Sequence, residues 1–346
     1  MSESSPHLAV AGLTVRFPTS RRLGRKRYLT AVDDVSFDVV RGRTLGIVGE
    51  SGSGKSTTAL AIARLVDAQA GSARLDGVEL LDLTGEALRA ARRRMQFIFQ
   101  DPYSSLNPRL RAERIVREPL DNLGSFRSDV QDGERIIDEL FESVGLRTEQ
   151  RKLFPHQFSG GQRQRLGIAR ALATRPELVI CDEPVSALDV AVQSQILNLL
   201  TRLQGELGLT YLFISHDLGV VQHVCDEVVV MYMGKVVERA SRMRLFTEPQ
   251  HPYSQALLSA VPSVHRARGS AARERVLIPG DSPDPMELPA GCRFASRCPV
   301  VLPECLEQEP LLRTVADGQS VACHRVEPGE ASPLRRFGKV PDALSG

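Results

Sequence analysis

The run Gly-Glu-Ser-Gly-Ser-Gly-Lys-Ser-Thr at residues 49–57 leaves this chain little freedom of fold. It fits the phosphate-loop pattern G-x-x-x-x-G-K-[ST]. Gly49, Gly52 and Gly54 let the backbone curl so that successive N–H groups converge on phosphate oxygens. Lys55 offers a compact positive charge to the β- and γ-phosphates, and Ser56 offers a hydroxyl to Mg²⁺. The whole run, Gly49, Glu50, Ser51, Gly52, Ser53, Gly54, Lys55, Ser56 and Thr57, is therefore the candidate binding loop. Its flanks agree: residues 44–48 are a short apolar run that reads as a buried strand, and residues 56–66 carry a helical apolar pattern. A strand, a Gly-rich turn and a helix N-terminus make an anion site within an α/β core.

The other candidate residues also stand at the ends of apolar runs. Residues 95–99 read as a strand ending at Gln100, and residues 178–181 as a strand ending in the acidic pair Asp182-Glu183. A carboxylate at a strand end beside a phosphate loop is where Mg²⁺ is held, and a second carboxylate there can polarise a water. Residues 210–214 form another such run, followed by Ser215-His216-Asp217. Ser159-Gly160-Gly161-Gln162 precedes a helical pattern over 163–173, with Ser159 placed as its N-cap, so the chain holds a second anion-ready helix start. Ser186-Ala187-Leu188-Asp189 opens a long helix over 190–207. Amphipathic pieces within 114–142 suit a helical subdomain inserted into the core. A hairpin over 228–238 closes it.

Composition removes some classes. No apolar run approaches the roughly 18 residues of a membrane span, and residues 1–6 lack the features of a secretion signal. The net charge of +2 argues neither for nor against nucleic acid, and no nucleic-acid partner is expected. The cytosol is the expected compartment, where six cysteines are thiols or metal ligands rather than disulfides. The basic residues Arg21, Arg22, Arg25, Lys26 and Arg27 form either a solvated loop or a contact with anionic headgroups or a partner. Tyr28 and Phe17 are rivals for stacking on a nucleotide base. From residue 247 prolines punctuate an appended, loop-rich domain that contains Cys292, Cys298, Cys305 and Cys323. Their spacing lacks the Cys-x2-Cys pairs of a zinc ribbon; four thiolates can hold a [4Fe–4S] cluster, and zinc or no metal stay open.

In this order the motifs resemble the nucleotide-binding subunit of an ABC transporter, with Phe158 preceding Ser-Gly-Gly-Gln where the family more often has Leu. The resemblance implies a phosphate-loop (RecA-like) α/β ATPase core with an antiparallel β subdomain and a helical subdomain at about 101–165. The core spans residues 1–247, and residues 248–346 form a C-terminal extension. Within that extension His251-Pro252-Tyr253 and Cys292-Arg293-Phe294-Ala295-Ser296-Arg297-Cys298-Pro299 resemble oligopeptide, dipeptide and nickel importers. Residues 182–189 look most like the second ATPase subunit of such importers.

Two such subunits, by that likeness a non-identical pair, are then expected to close head to tail around ATP. Ser56, Gln100 and Asp182 hold Mg²⁺, Glu183 is the general base, and His216 contacts the γ-phosphate. Ser159, Gly160, Gly161, Gln162 and Asp189 face the partner's nucleotide. The cysteines resemble the cluster ligands of peptide importers. Two transmembrane permeases, docking near residues 103–117, and indirectly an extracytoplasmic substrate-binding protein complete the expected assembly, at the cytoplasmic face of the cell membrane. A nickel importer, an exporter ATPase and a soluble non-transport ABC ATPase are the competing readings. The tail disfavours the last two.

Overall fold

A computed structural model describes residues 5–19, 27–101, 103–123, 130–260, 278, 283–330 and 332–334. The basic run at 21–26 lies outside the described residues. Arg27 is described, with its guanidinium 4.0 Å from Glu287.

Two sheets organise the chain. The smaller one is antiparallel, in the order β2 (Tyr28–Val39), β1 (Leu8–Pro18), β4 (Ala70–Leu75) and β5 (Val78–Glu79). The larger one has β3 (Thr44–Val48) between β8 (Thr210–Ser215) and β9 (Glu227–Tyr232), with β7 (Leu178–Asp182) and β6 (Met95–Ile98) beyond β8. From β6 through β3 to β9 the pairing is parallel. Because both faces of these strands are covered, they read as unbroken apolar runs rather than alternating ones. The two faces still separate by residue parity. Leu178, Ile180, Leu212 and Ile214 point into the core shared with the small sheet and α1 (Lys55–Ile62). Val179, Cys181, Tyr211 and Phe213 point to the opposite core, against α5 (Gly160–Leu172) and α6 (Val190–Leu207). The helix after the phosphate loop is shorter than the sequence pattern suggests. It stops at Ile62, and Arg64 turns the chain with φ 57.

The inserted helices are α3 (Ala112–Asn122) and α4 (Val130–Ser143), which pack on one another and on α5 through Ile115, Val116, Ile137 and Phe141. α2 (Gly85–Arg94) leads into β6, and α7 (Leu218–Val224) follows β8.

The tail is more than an appendage. After β10 (Lys235–Ser241), α8 (Arg242–Thr247) and α9 (Pro252–Ser259), the strand β12 (Gln319–Val321) pairs antiparallel with β10, and β11 (Arg313–Ala316) pairs with β12. They extend the main sheet to eight strands. Tyr253 and Phe294 enter the large core, whereas among the described residues the tail's own buried cluster is Val315, Val321 and Val326. So small a cluster cannot offset the entropy of ordering the segment, and the tail borrows the core of its neighbour.

The buried carboxylate of Glu238 on β10 fastens the junction. It accepts N–H bonds from Gln250 (2.8 Å) and His251 (2.9 Å), and one from the Gln319 side chain (2.9 Å). No helix among the described residues is long and apolar enough to cross a membrane.

Candidate functional site

The parallel pairing sends the C-terminal ends of β6, β7, β8 and β3 to one edge of the sheet. Residues far apart in sequence meet there. They border a cavity of about 570 Å³ whose walls include Phe17, Lys55, Ser56, Gln100, Glu183 and His216.

The phosphate loop lies between β3 and α1. Gly54 has φ 99, and a Cβ there would stand 2.3 Å from the carbonyl oxygen of Ala31, so backbone shape and space both demand glycine. The Lys55 ammonium donates to the carbonyls of Gly49 (2.9 Å) and Glu50 (2.8 Å). Burial pushes its pKa down, against the carboxylates of Glu183, Asp182 and Glu50, which pull it up.

Ser56 Oγ donates to Asp182 Oδ1 at 2.9 Å. Burial pushes the Asp182 carboxyl up, the Ser56 hydrogen bond draws it down, and the Glu183 charge adds to the rise against Lys55. A hydroxyl and a buried carboxylate are hard oxygen donors of the kind Mg²⁺ takes, and a cation beside them would reverse the rise.

Glu183 occupies the left-handed region, φ 46, where a non-glycine residue is uncommon. Its N–H donates to the Ile214 carbonyl on β8 at 2.9 Å, and the Ser186 hydroxyl donates to the Glu183 carbonyl at 3.1 Å. Its carboxylate is held at both ends. Gln100 Nε2 donates to Oε2 at 2.8 Å, and His216 Nδ1 lies 2.9 Å from Oε1. One carboxylate thus faces the cavity with its orientation set by two neighbouring strand ends.

Ser159, Gly160, Gly161, Gln162 and Asp189 do not border this cavity. Ser159 caps α5 with a reciprocal pair: its hydroxyl accepts from Gln162 N–H (3.3 Å), and its own N–H donates to Gln162 Oε1 (2.9 Å). Asp189 caps α6 through Val192 N–H at 2.9 Å. A Cβ on Gly161 would stand 2.5 Å from Val192 Cγ1, which explains glycine where α5 meets α6.

Phe17 borders the cavity beside Leu29 and Ala31; Tyr28 does not, and it is 49% exposed. Sequence reasoning missed Tyr253 and Arg297, which both bond to Glu50 in the phosphate loop. Nothing in the local sequence of either residue signals that contact.

The four tail thiols are not converged. Among the described residues no three of them lie within 4.8 Å of one another. Thiolates on one zinc ion stand closer, about 3.8 Å apart for tetrahedral bonds of that length. Burial pushes Cys292 and Cys323 up to about 11 and Cys298 up to about 12, while backbone N–H groups of nearby residues draw each back. The one described group that is compact enough for an ion is His7, Asp76 and Glu177, and there Arg41 and Arg94 already bond both carboxylates.

The profile of the family described as ABC transporter matches residues 32–186. That of the oligopeptide/dipeptide transporter C-terminal region matches residues 237–305. The chain is 46% identical over 319 residues to YkfD of Bacillus subtilis, called a putative oligopeptide transport ATP-binding protein. That match spans 92% of this chain and 95% of the relative. It is 49% identical over 295 residues to AppF of the same organism, called an oligopeptide transport ATP-binding protein, across 85% of this chain and 89% of the relative. Among solved structures, a dimeric ATP-binding cassette in a post-hydrolysis state with ADP and Pi is similar, with TM-score 0.61 and 28% identity. It covers 68% of this chain and 98% of its own.

Proposed function

Since the chain belongs to the ABC transporter ATPase family of oligopeptide and dipeptide transporters, we propose that it hydrolyses ATP to drive peptide import. The observation that carries this reading is the Glu183 carboxylate. It is held between Gln100 and His216 and faces the cavity that Lys55 and Ser56 border.

In this reading Lys55 leaves its loop carbonyls to meet the β- and γ-phosphates. Glu183 takes a proton from the attacking water, and His216 keeps water and γ-phosphate in line. Ser56, Asp182 and Gln100 hold Mg²⁺, whose charge, when bound, offsets that of the phosphates. Ser159, Gly160, Gly161, Gln162 and Asp189 lie outside the cavity, which suits a role toward the nucleotide of a second, related ATPase chain. Two membrane permeases and an extracytoplasmic binding protein complete the proposed machine, with this chain at the cytoplasmic face.

The [4Fe–4S] expectation has narrower support. It rests on the donor set: four cysteines in one tail, three of them receiving backbone N–H groups at sulfur as thiolate ligands do. Cys292, Cys298, Cys305 and Cys323 would hold the cluster, and its role would be to staple the tail. Iron analysis of anaerobically purified protein tests this; colourless, iron-free protein removes it.

The importer reading is tested by reconstituting the chain with its permeases in vesicles. Uptake of a labelled peptide should require ATP on the side where this chain resides. ATP hydrolysis without transport of any peptide would leave the ATPase and remove the importer.

A further inference from the structure

The phosphate loop is held by the tail. All three polar groups of Glu50 are engaged. Its carbonyl accepts from Lys55 Nζ at 2.8 Å, and its N–H donates to the Tyr253 hydroxyl at 2.8 Å. Its carboxylate receives both ends of the Arg297 guanidinium, at 2.9 and 3.4 Å. Tyr253 lies on α9 with no exposed surface, and Arg297 is 9% exposed in the loop between Cys292 and Cys298. Arg297 also donates to the Tyr232 hydroxyl at 3.3 Å, and Tyr232, Tyr253 and Phe294 pack ring against ring.

A second strut leaves the same cysteine loop. Arg293 donates to the Met233 carbonyl and to Asp33. The next residue, Gly234, donates its N–H to the Ser53 carbonyl at 2.9 Å. Two points of the phosphate loop, Glu50 directly and Ser53 through Gly234, are thus tied to one seven-residue tail segment.

We propose that Tyr253 and Arg297 are positioning residues that set the affinity of the phosphate loop for nucleotide through Glu50. This deepens the reading of the loop as the ATP site and rests on it. Two physical effects support it. Loop amides bind phosphate only while they converge, and Tyr253 fixes the Glu50 peptide whose carbonyl meets Lys55. A carboxylate beside an anion site repels phosphate unless a cation neutralises it, and Arg297 is the cation that meets it.

The two effects predict different consequences. Arg297→Gln leaves Glu50 charged in the loop and acting on Lys55. Removing that charge as well, by Glu50→Gln, should restore affinity, whereas a residue needed only for folding would not be rescued.

The test uses the full chain assembled with its partners, with Mg-ATP turnover and Mg-ADP titration as probes. Arg297→Gln should raise KM for ATP by about tenfold while kcat at saturating ATP changes less than about twofold. Arg297→Lys should fall between it and the wild type. Adding Glu50→Gln to Arg297→Gln should bring KM back to within about threefold of wild type. Tyr253→Phe keeps the ring and removes one hydrogen bond, so it should raise KM severalfold with an unchanged melting temperature. Unchanged KM in Arg297→Gln and Tyr253→Phe would overturn the proposal. So would a loss of kcat and melting temperature together that the double variant fails to relieve. Lys55→Ala serves as reference: if it binds Mg-ADP as the wild type does, the nucleotide-site reading falls, independently of the tail.

Discussion

His216 Nδ1 stands 2.9 Å from Glu183 Oε1, across the ends of two adjacent parallel strands. The imidazole is largely exposed, whereas the carboxylate side chain is 12% exposed. Both neighbours are exposed, and they orient the acid at its two oxygens, His216 at Oε1 and Gln100 at Oε2.

Glu183→Gln keeps the shape and both neighbours but removes the base. ATP should still bind, and turnover should fall by about 10²–10⁴-fold. His216→Ala should lower kcat with a smaller change in KM, because it frees the carboxylate without touching the loop. Steady-state ATPase measurements on the assembled complex check both. Near-wild-type turnover in Glu183→Gln would remove the base assignment.

Phe17, rather than Tyr28, borders the cavity. Phe17→Ala should therefore weaken ATP binding by roughly fivefold, the equivalent of about 1 kcal/mol of lost stacking. Tyr28→Ala should leave affinity unchanged. Titration of each variant with a fluorescent nucleotide discriminates them, and the reverse ranking would assign the base contact to Tyr28.

A Cβ added to Gly161 would stand 2.5 Å from Val192 Cγ1, where α5 meets α6. Gly161→Ala should shift that helix start at a cost of about 1–3 kcal/mol. Nucleotide affinity of the isolated chain should hold, since Gly161 is not at its own cavity. ATPase activity of the assembled pair should fall. Equal activity losses in nucleotide binding by the single chain would mean that the helix acts in cis.

Asp76 sits among His7, Arg41 and Arg94. Burial alone would raise its carboxyl, but hydrogen bonds from His7 and Arg41 outweigh that and hold it at about 2. The unfolded chain takes up this proton near pH 4, at about the ordinary value for Asp. The stabilisation is therefore complete above that pH and is lost as pH falls toward 2. Asp76→Asn should melt a few degrees lower at pH 7, and the gap to wild type should narrow by about half at pH 3 and close only below about pH 2. A gap that is constant with pH would show that the charge contributes nothing.

Much of this protein is local, and so legible in its sequence. Residues 49–57 dictate a strand, a curled loop and a helix start because glycine, lysine and serine chemistry at that spacing has few other uses. The apolar runs before Gln100, Asp182 and His216 announce buried strands, and a parallel sheet brings their ends to one edge. Ser159 as a helix cap follows from hydrogen bonds within four residues.

Only the tertiary structure decided which aromatic ring meets the cavity, because Phe17 and Tyr28 are equivalent as sequence and differ in the face of the small sheet they occupy. It alone decided that the proline-rich tail joins the main sheet and grips Glu50. Those contacts span 203 residues to Tyr253 and 247 to Arg297. Their partners are chosen by packing around Tyr232 and Phe294, not by any local periodicity. The phosphate loop is written in nine consecutive residues, but the shape it keeps is set by side chains at the far end of the chain.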